Sequence, residues 1–173
     1  MKIAKVVALS AMTTAIATIF LVIGNWFTTL SLTGALMASV TMMLPLAKKS
    51  YKAAILSFIA TVLLTGMFSG FFARVEALLP FVFFSGLHPV FNEFWADKKL
   101  NKVLGFIIKE LWFLLSVFLC ELLLDLFIGE NEIINQYIYP IILIGGAVLF
   151  PVYDYLMGYF RKAVGIIVAR LKI

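Results

Sequence analysis

Charge is scarce in this sequence: Asp, Glu, Lys and Arg together supply 13% of its 173 residues. A water-soluble domain carries about a quarter charged residues. With 64% hydrophobic residues and a mean hydropathy of +1.09, the composition is that of an integral membrane protein. Cysteine is nearly absent as well. The one present, Cys120, excludes an internal disulfide and a cysteine-based metal centre. A single histidine, His88, and the lack of any HxxH, HExxH or CxxC spacing argue against a structural metal site. No GxxxxGK[ST] motif occurs, so the chain is not itself expected to bind ATP. Glu93 and Asp97 stand without the DxxD or HxxxD arrangements of membrane-surface lipid transferases, so no enzymatic role is expected.

What is present is a series of apolar runs. A helix needs about 20 such residues to cross the hydrocarbon core. Six segments qualify, over residues 6–25, 30–47, 52–70, 75–94, 103–128 and 138–160, and they make one transmembrane domain. The first has lysines before it, as a signal peptide does, but its apolar run is longer than a usual h-region and it reads as a membrane helix. The fourth contains Pro80, Gly86 and Pro89, which predict a kink or a re-entrant path. Such a break is tolerated at membrane depth only where protein covers the freed backbone.

The net charge of +5 suggests nucleic acid until the basic residues are located. Twelve of the fourteen fall at the N-terminus, between spans two and three, between spans four and five, or after span six. Only Arg74 lies on the other side, and Lys109 lies inside a span. By the positive-inside rule both termini and the basic loops are cytoplasmic. The outer loops are then residues 25–29, 70–76 and 129–137. Nucleic acid is not an expected partner; the lipid bilayer is.

Span one reads AKVVALSAMTTAIATIF. Ala4, Ala8, Ala11 and Ala15 recur at helical spacing, and small residues in this pattern let a second helix approach closely. The approaching helix belongs either to the same bundle or to another subunit. Gly66 and Gly70 form a similar pair in span three, where internal packing is favoured.

Six helices in a chain of this length, the Ala-xxx-Ala first helix, cytoplasmic termini and basic cytoplasmic loops resemble the substrate-binding S component of an energy-coupling factor (ECF) transporter. FVFFSGLHPVFNEF (residues 81–94), Lys109 early in span five and VYDYL (residues 152–156) resemble a group of such proteins with no settled substrate. The resemblance implies an all-α, six-helix transmembrane bundle in the bacterial cytoplasmic membrane. It implies uptake of a vitamin or similar micronutrient, with Ala8, Ala11 and Ala15 meeting a transmembrane coupling subunit. Two ATPase subunits bind the ATP; this chain needs no cofactor. The substrate would sit in the outer half, under the loops after spans one and three. No signature of the riboflavin, thiamine, biotin or folate branches is present. The alternative is a non-transporting scaffold of the cell-shape machinery, like MreD, which resembles the same fold.

Several outer residues suit a small ligand. Asn25, Trp26, Thr28 and Thr29 set an aromatic plane beside amide and hydroxyl groups, as small-molecule pockets do. Trp26 equally suits an aromatic belt at the membrane surface. Arg74 is the lone outer cation, able to meet a ligand carboxylate or an acid such as Glu76, Glu121 or Asp125. Glu76 also favours the start of the helix that follows. Tyr137, at the end of the acidic outer loop, completes the candidate substrate-binding set.

Ionisable residues inside spans are costly and face the bundle interior. At about 1.5 Å per residue, Lys109 and Asp154 each lie roughly 9 Å inside the cytoplasmic edge, which predicts an ion pair with Glu110 as the competing acid. Along span five Glu121 lies at roughly 27 Å and Asp125 at roughly 33 Å, against a core of about 30 Å. Asp125 therefore reaches the outer interface, and Glu121 lies beneath it, on the stripe that also carries Glu110. Both belong to the candidate substrate-binding set, with Glu121 as the acid expected to contact a ligand's donor or positive charge. His88 reads as a satisfied polar group rather than a proton relay.

Overall fold

In hydrocarbon each backbone N–H and C=O must find its partner within the protein, so long apolar runs wind into helices. The computed structural model describes residues 3–71, 73–128 and 138–170; these residues form helices joined by short turns, with no strand among them. Helix α1 spans Ile3–Trp26. A 3-10 turn, Thr28–Leu30, leads into α2 (Ser31–Thr41), which continues almost unbroken into α3 (Met43–Leu46). Helix α4 spans Tyr51–Ser69 and stops at Gly70, whose φ of 70° closes the helix in the left-handed region. Next come α5 (Leu78–Pro80), a π-helical turn (Phe81–Ser85) and α6 (His88–Asp97). Two long helices complete the chain, α7 (Lys102–Ile128) and α8 (Ile138–Arg170).

Five of these stretches are long and apolar enough to cross a membrane, which marks a multi-pass membrane protein. The fourth expected span is not among them. Where one helix over residues 75–94 is expected, the chain is broken into α5, the π turn and α6. Pro80 and Pro89 remove two backbone donors, and Gly86 has no room for a side chain. A Cβ there would lie 2.7 Å from the Phe58 ring and 2.8 Å from the Phe81 carbonyl oxygen.

Neighbouring helices satisfy the backbone that this break releases. The indole Nε1 of Trp112 and the hydroxyl of Ser116, both on α7, donate to the Phe83 carbonyl at 2.8 and 3.1 Å. From the other side, Ser39 on α2 donates to the Ser85 carbonyl. The irregular turn is thus covered on two sides by protein, the condition under which such backbone persists at membrane depth.

Helix α1 buries Leu9, Thr13, Ala17 and Leu21, one residue per turn, against α2 and α4. Its seam with α4 is tied by small hydroxyls: Thr14 donates to the Ser57 carbonyl and Ser57 to that of Ser10. Ala17, Leu21, Ala35, Ala38 and Met42 then meet Ala77, Leu78 and Phe81, so the broken segment packs into the α1–α2 core. A second cluster joins Met43 to Met157, Val164 and Val168 of α8. Between the two lies Phe84, its ring centroid 4.9–5.5 Å from those of His88, Trp112, Phe113 and Tyr153. Edge-on and tilted aromatic packing of this kind fixes the π turn against α7 and α8.

Candidate functional site

The outer residues predicted as ligand contacts are largely committed to holding the fold. Asn25 is buried at the end of α1. Its amide NH2 donates to the Ser69 hydroxyl at 3.0 Å, and its carbonyl oxygen accepts from the backbone N–H groups of Ala77 and Leu78 at 2.8 and 3.1 Å. One side chain therefore ties the ends of α1 and α4 to the start of the broken segment. Trp26 is half exposed, and the Arg74 guanidinium stacks 4.0 Å above its ring, a cation–π contact. Arg74 has thus found an aromatic face, where the sequence suggested an acid. Thr28 and Thr29 are exposed on the 3-10 turn. Glu76 is partly buried, and its Oε2 lacks a hydrogen-bond partner. Glu121 lies half-buried on α7. The side chain of Asp125 and all of Tyr137 lie outside the described residues.

At the opposite end, where the basic loops gather, the buried charges converge. Lys109 on α7 is buried and its Nζ donates to Asp154 Oδ1 of α8 at 2.6 Å. The same oxygen lies 3.2 Å from Nε2 of His88, which is wholly buried, and 3.4 Å from the amide nitrogen of Asn92. Three donor groups from α6 and α7 thus meet one carboxylate oxygen from α8, which satisfies a charge that would be expensive alone in this environment.

One turn further along α6, Glu93 is buried between two cations. Lys49, in the α3–α4 loop, bonds to Oε1, and Arg161 Nε of α8 lies 2.6 Å from Oε2. Lys49 also bonds to Asp97, which accepts from Tyr51 as well. Lys49 sits at a φ of 56°, in the left-handed region usually left to glycine at a helix end, at a cost of about 1–2 kcal/mol. Its ammonium there reaches two carboxylates. Hydrogen bonding to Asp97, then to Glu93, raises the Lys49 pKa, and hydrogen bonding from Lys49, then Tyr51, lowers that of Asp97.

These two clusters border a cavity of about 330 Å³, the size of a small-ligand pocket. Asn92, Glu93, Lys109, Asp154 and Arg161 supply polar groups, with Lys49 at the α3–α4 loop. Met43, Leu46, Pro89 and Met157 supply apolar wall. Only Lys109 and Asp154 are singled out as a buried pair by their spacing from the ends of the spans. His88, Asn92, Glu93, Lys49 and Arg161 are not. The signal for α6 is present in the sequence, since His88 and Asn92, and Glu93 and Asp97, are each four residues apart and so share a face. Lys49 and Arg161 read only as topology charges. Among the described residues no group of three or more His, Cys, Asp or Glu could hold a metal ion.

The small-residue face of α1 points away from all of this. Ala4, Ala8, Ala11 and Ala15 are all exposed. The pair Gly66 and Gly70 does not form a second such face: Gly66 is buried with the Phe71 ring against it, and Gly70 ends the helix. Comparison with protein-family models, with curated proteins and with solved structures finds no match for this chain.

Proposed function

We propose that this chain is the solute-binding membrane subunit of an importer of the ECF type. In this reading six segments form one bundle in the bacterial cytoplasmic membrane, with both termini inside. The chain binds a vitamin-like nutrient and works with a transmembrane coupling subunit and two ATPase subunits, which bind the ATP. The observation that carries the reading is the contrast between outward faces. Those of α4 and α7 bear large side chains suited to lipid, such as Leu56, Leu63 and Phe68, or Leu111, Leu115 and Leu122. That of α1 bears Ala4, Ala8, Ala11 and Ala15, interspersed with a few larger residues such as Val7 and Ile19. Alanine gains little from lipid but lets another helix come close, so this strip suits a protein partner.

The alternative, an MreD-like scaffold, would use the same strip. Co-purification tests the proposal. The chain should bring down a membrane subunit and an ATPase, and Ala11→Trp should weaken assembly about fivefold or more, since overpacking a close helix seam costs about 1–3 kcal/mol. Ala11 is exposed, so the variant should stay folded and monodisperse. Full assembly and uptake by Ala11→Trp would refute the interface, and a cell-shape defect on depletion without loss of any uptake would favour the scaffold.

A further inference from the structure

The cavity at the basic end of the bundle has a hydrogen-bonding imbalance that points to a ligand class. Most of its carboxylate oxygens are engaged: both oxygens of Glu93 have cationic partners and Asp154 Oδ1 faces three donor groups, which leaves Asp154 Oδ2. Its cations retain capacity. Arg161 meets Glu93 through Nε, which leaves the two terminal nitrogens of its fork, and Lys109 gives Asp154 one of three N–H donors. Lys49 is already held between Glu93 and Asp97, so the unused capacity of the lining lies in the donors of Lys109 and Arg161. A guest that brings several acceptors complements these donors.

The opposite wall sets the guest's other half. Met43, Leu46, Pro89 and Met157 are apolar, and α8 presents Gly158 and Gly165 to the cavity. Most glycines elsewhere in the bundle make room for a neighbour, as Gly86 does for Phe58, although Gly145 on α8 also faces open space. At Gly158 and Gly165 an added Cβ would meet nothing within 4 Å. A glycine within a helix costs about 1 kcal/mol relative to alanine. Here it admits no packed side chain; what it leaves is open volume along the cavity wall.

We propose that this cavity binds a phosphate group attached to a short apolar body, with the phosphate on Arg161 and Lys109 and the apolar part along Met43, Leu46 and Met157. The source of such a group is either an anionic lipid head, since basic pockets at the cytoplasmic ends of membrane helices suit these, or a soluble phosphate ester. The site is at the opposite end of the bundle from Asn25, Trp26 and Arg74. It stands on the cavity alone, whether or not the chain couples to an ATPase.

The test uses the full chain in nanodiscs and the variant Gly158→Leu, which adds a bulky side chain at the cavity lining and changes no charged group. In one arm, native mass spectrometry compares retention of phosphatidylglycerol and phosphatidylcholine from discs holding both. In the other, thermal unfolding in pure phosphatidylcholine discs is followed with glycerol phosphate, with inorganic phosphate, and with chloride as control. A preference of about tenfold or more for phosphatidylglycerol, lost in Gly158→Leu, supports the site and assigns it to lipid. Stabilisation by glycerol phosphate, lost in the same variant, supports it and assigns it to a soluble ester. Binding in neither arm overturns the proposal, as does unchanged binding in a normally folded Gly158→Leu. If Gly158→Leu does not fold, Gly165→Leu serves in its place under the same criteria.

Discussion

At the residue scale, a partly buried carboxylate that faces three donor groups carries much of the local stability. Asp154 holds Lys109 at 2.6 Å, with His88 and Asn92 on the same oxygen. Removing one partner of a buried pair strands the other, at about 3–5 kcal/mol, whereas replacing both with apolar residues of similar volume is often neutral. Asp154→Leu alone should therefore lower stability by about 3–5 kcal/mol, and Lys109→Met combined with Asp154→Leu should recover most of the loss. Thermal unfolding of the purified chain in detergent measures both. If the double variant is as unstable as Asp154→Leu, the cost lies in His88 and Asn92 rather than in the stranded ammonium. Asn25 illustrates the opposite lesson. As a polar residue beside an exposed tryptophan it looked like a ligand contact, yet its three hydrogen bonds all serve the fold. Sequence reveals that a side chain can form hydrogen bonds, not which of its capacities folding has already used.

At the scale of elements, the broken fourth segment organises the bundle. Pro80, Gly86 and Pro89 signal the break in the sequence, and the requirement that protein cover it follows from the membrane environment. The identity of the cover, Trp112, Ser116 and Ser39, depends on how α2 and α7 flank the turn, which no local pattern encodes. Because a Cβ on Gly86 would meet both a ring and a backbone oxygen at under 3 Å, Gly86→Ala should destabilise by about 1–3 kcal/mol. A lowered unfolding temperature checks this; an unchanged one would mean that Phe58 yields without cost. The break also turns α6 so that its His88–Asn92 and Glu93–Asp97 pairs reach α7, α8 and the α3–α4 loop. A continuous helix over residues 75–94 would have presented a different face.

For the whole molecule, the proposed orientation puts the cavity on the cytoplasmic side. With Cys120 replaced by Ser, a single cysteine at Lys52 should resist a membrane-impermeant thiol reagent in intact cells and react after permeabilisation. A cysteine at Thr28 should react in intact cells. Reaction in the reverse order would invert the bundle and place the basic cavity outside. Composition and run length alone established a multi-pass helical membrane protein, because the bilayer imposes its thickness and its demand for paired backbone on any chain that crosses it. They also located Lys109 and Asp154 at equal depth, since a helix rises by a constant step. Tertiary structure decided the rest. Which helices are neighbours sets which face of α1 remains uncovered, which acid each base meets, and where a gap is left between α3, α6 and α8. Those are properties of packing between segments far apart in the chain, and a constant rise along one helix carries no information about its neighbours.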